Sequence, residues 1–155
     1  MSAVVHSINI STEGGVPKLP IDQGEILFTG VKGDFNRFRT DKKNGIGTRA
    51  VTLFSLEQIK KLKSEGHAID VGTTGENITI KGIDWPTLEV GTRMMIGEAM
   101  IELSEPTAPC SKIGKSFIDG AFSRIDHELE LGWSRWSASV IEEGHVEVGN
   151  QVIIL

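Results

Sequence analysis

The feature that most constrains this chain is the spacing of its apolar segments, which are strand-sized and mostly separated by glycine. The sequence has 18 glycines in 155 residues. Short apolar or alternating runs bounded by glycine are typical of β-strands. Such runs, with glycine at the corners, predict a curved sheet or barrel in a mostly β fold with a few helices (α+β). The segments are Val4–Ile10, Glu25–Val31, Ala50–Phe54, Asn77–Ile80, Met94–Ile96, Ala99–Leu103, Ala138–Ile141 and Val152–Leu155.

One helix is well marked in the sequence. Ser55 stands before an apolar stripe, and Gln58 follows three residues later, which is a capping-box spacing. Gly66 provides a C-terminal stop. A second helix is predicted within Lys115–Leu131 from its spaced apolar residues. The stripe of the first helix consists of Leu56, Ile59 and Leu62.

Three glycine dipeptides predict turns between the late strands. Gly97-Glu98 separates two apolar segments and predicts a hairpin turn. Val90-Gly91 and Val148-Gly149 each precede a late apolar strand and predict tight turns. Turns of this kind need no functional explanation.

Length and composition bound the fold and the function class. A chain of 155 residues predicts one compact domain, residues 1–155. No run approaches the ~20 apolar residues of a transmembrane helix, so a membrane partner is not expected. The net charge of −5 argues against a general nucleic-acid binder. The N-terminus shows no secretory signal, so the expected location is cytoplasmic.

Cys110 is the single cysteine, so it excludes an internal disulfide framework and a multi-cysteine metal cluster. Pro106 and Pro109 stiffen the approach to it. Lys112 follows and favours a thiolate if it folds close by. A thiolate is a nucleophile, a sulfur acceptor and a soft metal ligand. The alternative is a small buried hydrophobe, which is what most free cysteines are.

A basic stretch covers residues 31–49 and has Asp34 and Asp41 within it. Such a stretch can hold an anion through guanidinium groups and backbone N–H groups. A solvated surface loop is the commoner explanation for such a stretch. The basic residues are Lys32, Arg37, Arg39, Lys42, Lys43 and Arg49.

Other motifs of common chemistry are missing from the sequence. The histidines lack zinc-ligand spacing, so zinc hydrolysis is unsupported. Trp133 and Trp136 bracket Arg135, and this pattern favours core or interface residues over a stacking platform.

Taken in order, the motifs of this chain resemble those of the MOSC domain, the family named for the C-terminal domain of molybdenum-cofactor sulfurases. The resemblance covers nearly the whole chain, and its order and separations make it specific. The motifs that carry it are Val5–Ser11, Gly15–Lys18, Gly30–Asp34, Arg49–Val51, Gly72–Ile78, Leu88–Arg93, Ile96–Ala99, Pro106–Cys110, Gly132-Trp133 and Val140–Asn150.

The resemblance implies a β-barrel in which Cys110 ligates the molybdenum of a pterin cofactor (the molybdenum cofactor, molybdopterin) or carries sulfur. It implies that cations bind the cofactor's phosphate, and that Asn77 either bonds the pterin or pins a turn. By resemblance the cations are Lys18, Arg49 and Arg93, followed by Lys32 and Arg37.

Three functions follow from the resemblance. The first is a molybdenum-dependent oxidoreductase, similar to small stand-alone members that reduce N-hydroxylated compounds with electrons from an external partner. The second is a sulfur carrier supplied by a separate donor protein, since the chain has no pyridoxal-phosphate site of its own. A cofactor-binding module without catalysis belongs with this second possibility, and the third possibility is a plain binding domain with an inert cysteine.

Two positions depart from the family pattern. Asn44-Gly45-Ile46 stands where many relatives have His-Gly-Gly, which puts any role of that histidine in doubt. Asn150 replaces an aspartate that is common before the final strand.

Overall fold

A computed structural model describes residues 3–35 and 47–155 of the chain. In this part of the chain, strands dominate and one α-helix, α1 (Leu56–Ser64), is present. None of its helices is long and apolar enough to cross a membrane. The strands are β1 (Ala3–Ile10), β2 (Leu19–Ile21), β3 (Gln23–Leu27), β4 (Gly30–Val31), β5 (Val51–Ser55), β6 (Ile78–Lys81), β7 (Arg93–Ile96), β8 (Ala99–Thr107), β9 (Arg135–Glu142), β10 (Gly144–Glu147) and β11 (Gln151–Ile154).

Seven strands form a closed barrel, in the order β11-β7-β8-β9-β5-β6-β1. Pairing between β1 and β11 closes it, with Ala3 opposite Val152. The β5–β6 pair is parallel, and the other pairings of the barrel are antiparallel. Strand β2 extends β1 on one side, and β10, β3 and β4 make a separate three-stranded sheet. The predicted mostly β fold and barrel are confirmed.

Apolar side chains fill both the inside of the barrel and a cluster on its outer wall. Leu53, Ile78 and Trp136 point inward and are almost fully buried. Phe54, next to Leu53, points outward into a second cluster, because side chains alternate along a strand. Burial of each such side chain stabilises the fold by about 1.5–3 kcal/mol. The second cluster contains Phe54, Ile59, Leu62, Ile69, Ile113, Phe117 and Ile125.

The first predicted helix is confirmed at both ends. The Ser55 side chain accepts a hydrogen bond of 3.1 Å from the backbone N–H of Gln58. The helix ends at Ser64, and Gly66 follows with φ +98°. Ser55 therefore acts as the N-cap and satisfies one of the free N–H groups of the first turn.

The second predicted helix, within Lys115–Leu131, is wrong. The segment instead forms short 3-10 turns, including Ile118–Gly120 and Phe122–Ile125. Asp119 adopts φ +53°, a left-handed conformation that interrupts an α-helix. Of the apolar residues that suggested a helix, Phe117, Phe122 and Ile125 pack in the outer cluster without a helical period, whereas Ile118 and Leu129 are exposed.

The predicted strands are all present, with shifted bounds. Glu25–Val31 is divided into β3 and β4, because Phe28 and Thr29 form the turn between them. The predicted hairpin is confirmed, with Ile96 opposite Ala99 across two turn residues. Two strands, β2 and β10, were not predicted. The expectation of a single domain stays a prediction.

Candidate functional site

A strip of polar side chains lies on the outer wall of the barrel, where β1, β5, β6 and β9 run side by side. Alternate residues of these strands face the apolar interior, so the polar ones face outward. They are nevertheless buried, because loop 70–77 and the chain around Lys18 cover them. The strip contains Asn9, Thr52, Asn77, Thr79 and Ser137.

One end of the strip holds a buried ion pair. The Nζ of Lys18 lies 2.7 Å from the Oδ2 of Asp34, and the two side chains are 8% and 0% exposed. The other carboxylate oxygen accepts the backbone N–H of Ser11 at 2.8 Å. Because the charge of Lys18 is offset by this carboxylate, the pair is a structural element as well as a candidate part of the site.

Asn77 connects three segments through its side-chain amide. Its Oδ1 accepts the backbone N–H of Thr52 at 3.1 Å. Its Nδ2 donates to the backbone oxygen of Asn9 at 3.1 Å and to Asp34 at 3.0 Å. The amide therefore holds strands together. Its suggested contact with a pterin stays a prediction.

Glu76 is fully buried beside this network. Its carboxylate accepts hydrogen bonds from the backbone N–H of Gly72 and from the hydroxyls of Thr74 and Thr79, at 3.0 to 3.1 Å. Burial raises the pKa of Glu76, and these three hydrogen bonds oppose that rise. The carboxyl is therefore a buried acid that costs stability when it ionises.

The stability of the protein is expected to depend on pH through Glu76. Because its pKa is raised in the folded state, its stabilising contribution is fully present below the ordinary carboxyl pKa. That contribution is lost as the pH rises through the folded pKa. Glu76→Gln removes this loss, so the unfolding free energy of wild type relative to the variant should fall as the pH rises above the ordinary carboxyl pKa of 4.5. Urea unfolding across this range measures the slope, with exposed Glu102→Gln as control. Equal slopes in wild type and Glu76→Gln would contradict the assignment.

Cys110 lies three residues after the end of β8 and is exposed. It has an extended backbone, and its carbonyl accepts the N–H of Ile113 at 3.1 Å in a following 3-10 turn. The alternative of a buried small hydrophobe therefore does not describe this residue. The thiol can be reached by a metal, a cofactor or a second protein.

Arg135 lies beneath this loop and was not predicted from the sequence. It opens β9 opposite Thr107 and is 6% exposed. Its Nη1 donates to the carbonyl of Thr74 at 2.6 Å, and its Nη2 donates to the carbonyl of Ala108 at 3.3 Å. Because burial lowers the pKa of Arg135 only to about 10, against the opposing charges of Glu76 and Cys110, the guanidinium stays charged at neutral pH.

The remaining predicted cations lie in different places. Arg49 pairs with Glu105 at 2.6 Å and so lies toward the Cys110 end of β8. Arg93 pairs with Glu102 at 2.9 Å. Five residues separate Glu102 from Thr107, roughly 16 Å along a strand, so Arg93 is far from the Cys110 loop.

Lys32 is exposed, and its backbone N–H bonds to Glu25. Arg37 and Asn44 lie outside the described residues. The structure thus brings Arg49 toward Cys110 and does not bring Arg93 there. The cofactor-binding roles of all these residues stay predictions.

The described part of the chain places no cluster of other metal-binding side chains around Cys110. Within residues 3–35 and 47–155, no group of three or more His, Cys, Asp or Glu side chains is placed to hold a metal ion. A metal at Cys110 would therefore need most of its ligands from a cofactor.

Comparison with known proteins identifies the family. Residues 33–153 match the family model of the MOSC domain. The chain belongs to the MOSC domain family. Strand β1 lies before the matched residues, although it closes the barrel. The family is associated with the molybdenum cofactor, which agrees with the chemistry that an accessible thiolate can perform.

Solved structures share the fold of this MOSC protein. YiiM from Geobacillus stearothermophilus superposes with a TM-score of 0.72 at 20% identity, over 99% of this chain and 75% of that one. YiiM from Escherichia coli gives 0.70 at 19%, over 99% and 68%. The YUAD protein of Bacillus subtilis gives 0.76 at 15%, over 99% and 96%.

A sequence relative is the protein YflK of Bacillus subtilis (strain 168), 30% identical over 81 residues. The match spans 52% of this chain and only 36% of YflK. The likeness to the solved structures supports the fold.

Proposed function

We propose that this MOSC protein binds a molybdenum cofactor and that Cys110 is the protein ligand of the metal. The observation that carries the proposal is an exposed thiol on a loop held to the barrel by a buried arginine. A thiolate is a soft ligand and suits such a metal. The family association with the cofactor supports the same assignment.

The residues present fit this group in two respects. The thiol is accessible, and a buried cation lies close to it. The Nε of Arg135 is buried and has no hydrogen-bond partner, so this guanidinium keeps a donor that is not used within the protein. When bound, the cofactor supplies two-electron redox chemistry, and we propose reduction of a small N-hydroxylated compound with electrons from an external donor protein.

The chain's own residues would divide the binding work. Cys110 would hold the metal, and Arg135 would offset negative charge near the sulfur. Arg49, Lys32 and Arg37 are the proposed cations for the cofactor's phosphate. The location proposed for this protein is the cytoplasm.

Lys18 and Asn77 would fix the floor of the site through the buried network with Asp34. Arg93 is a surface cation that lies far from the Cys110 loop.

The experiment that tests the proposal measures molybdenum in the purified protein. Protein from cells supplied with molybdate should contain about one molybdenum per chain, measured by mass spectrometry. Cys110→Ala should lose nearly all of it, because the one protein ligand is removed, while its circular dichroism stays unchanged. Lys60→Ala, an exposed change on α1, is the matched control. Equal metal in Cys110→Ala and wild type would rule out Cys110 as the ligand.

A second function, a persulfide carrier, is favoured by the exposure of Cys110. A thiol that exchanges sulfur with another protein has to be reachable from the surface. A cavity of about 280 Å³ lies between α1 and the chain around Trp85 and Trp133. Cys110 does not line this cavity. A labelled persulfide on Cys110 in protein free of molybdenum would favour the carrier over the oxidoreductase.

A further inference from the structure

We propose that Arg135 is a positioning residue of the Cys110 site: it joins the loop that carries Cys110 to the Thr74 loop and places a fixed cation near the sulfur. The inference rests on the proposed function for its biological meaning. Its geometry stands on contacts of the protein alone. It predicts that the site favours negatively charged reaction partners.

The bridging part of the proposal follows from the two hydrogen bonds of the guanidinium. Ala108 lies two residues before Cys110, and its carbonyl receives Nη2 at 3.3 Å. Thr74 lies in loop 70–77, and its carbonyl receives Nη1 at 2.6 Å. A planar guanidinium can serve two carbonyls at once, whereas an ammonium is a single compact charge. The two loops are therefore held at a fixed separation by one side chain.

A second contact joins the same two regions. The hydroxyl of Ser116, at the end of the 3-10 turn that follows Cys110, lies 3.0 Å from the hydroxyl of Thr73. The loops thus meet on both sides of Cys110. Loss of Arg135 would remove the tie nearest to the sulfur and leave the more distant one.

The charge part of the proposal follows from burial. Arg135 is 6% exposed, so water screens its charge weakly. The carboxylate of Glu76 is buried nearby and partly offsets it. The Nε of Arg135 remains buried without a partner. A cation in this setting attracts an anion that approaches Cys110 and repels a cation.

The charge is tested on metal-free protein with two disulfide probes of different charge. In each reaction the Cys110 sulfur attacks the disulfide, one mixed disulfide forms, and one probe thiolate leaves. The probes are dithiobis(nitrobenzoate), which is anionic, and dithiodipyridine, which is neutral. Both react with the same thiolate, so the ratio of their rates reports the local charge and does not depend on how much thiolate is present.

Arg135→Met should lower the anionic-to-neutral rate ratio about three- to tenfold, because a buried cation next to the Cys110 loop is gone. Arg135→Lys should restore most of the ratio, since it keeps the charge. Arg124→Met is the matched control, because Arg124 pairs with Glu65 and stacks on Trp133. Its ratio should equal that of wild type. An unchanged ratio in Arg135→Met would overturn the charge part of the proposal.

The bridge is tested by amide hydrogen exchange in the same proteins. Arg135→Lys and Arg135→Met should both speed exchange at the N–H groups of Ile113 and Gly75 by about tenfold or more, because a lysine cannot serve both carbonyls. The core amides of β5 and β9 should keep their protection. Faster exchange everywhere, or in neither loop, would overturn the bridge.

A further variant keeps the test decisive if Arg135→Met does not fold. Arg135→Gln keeps side-chain N–H donors and removes the charge, so the rate ratio should fall below wild type, as in Arg135→Met. An unchanged ratio would overturn the charge part. If the protein binds no molybdenum and these results still hold, the proposed function fails and the role of Arg135 stands.

Discussion

Asp34→Ala is expected to lower the unfolding free energy by about 3–5 kcal/mol. The substitution leaves the Lys18 ammonium buried at a side chain that is only 8% exposed, without the carboxylate that lies 2.7 Å from it. It also removes the acceptor for the N–H of Ser11 and one of the two acceptors of the Asn77 amide. A buried charge that loses its carboxylate and donors that lose an acceptor each cost stability. Urea unfolding followed by circular dichroism measures the change.

The control for this prediction is an ion pair of similar distance at the surface. Glu102→Ala breaks the pair with Arg93, at 2.9 Å, whose side chains are 49% and 35% exposed. Exposed pairs contribute only about 0–1 kcal/mol, so this variant should remain close to wild type. Asp34→Asn keeps the shape and should lie between the two. A loss below about 1 kcal/mol in Asp34→Ala would mean that the network does not hold the fold.

Gly72→Ala is expected to lower the unfolding free energy by about 3 kcal/mol or more. Gly72 has φ +81°, and a Cβ there would lie directly against the backbone carbonyl of Lys18. That carbonyl belongs to backbone and cannot rotate away as the end of a side chain can. The N–H of Lys18 bonds to the Gly72 carbonyl at 2.9 Å, so any shift also breaks this contact. Strain in the left-handed region adds to the steric cost.

Gly149→Ala separates the two causes. Gly149 has φ +92°, and a Cβ there would meet no atom within 4 Å. This variant should therefore show the conformational cost alone, about 1–2 kcal/mol. Thermal or urea unfolding of the two variants gives the difference. Equal losses would mean that the approach of Lys18 to Gly72 relaxes without cost.

The barrel was predictable because its signals are local. Short apolar segments between glycines marked all seven barrel strands, and Ser55 with Gln58 marked the helix start. Strands β2 and β10 were missed because neither has an uninterrupted apolar run: β2 reads Leu-Pro-Ile, and β10 reads Gly-His-Val-Glu. The false helix after Lys115 came from apolar spacing that served a packed cluster of turns.

The site was predictable only in part, because its parts come from distant segments. Cys110 was recognised from its prolines and from the family resemblance. Arg135 was missed, since nothing local distinguishes an arginine that opens a strand and is buried from one that is solvated. Its partners, Thr74 and Ala108, are 61 and 27 residues away. The burial of Lys18 against Asp34 likewise depends on tertiary contact and not on the residues next to it.

The pairing of β1 with β11 joins two segments that are separated by nearly the whole described chain. Contacts between residues so far apart bring a large loss of chain entropy before they stabilise anything, and they slow folding. During synthesis, β7 and β1 each keep a free edge until residues 151–154 have left the ribosome, and a free edge can pair with another molecule. Pairing of the last strand therefore covers the edges that can aggregate. A change that slows its pairing opposite Ala3 also lengthens the time in which the chain can aggregate.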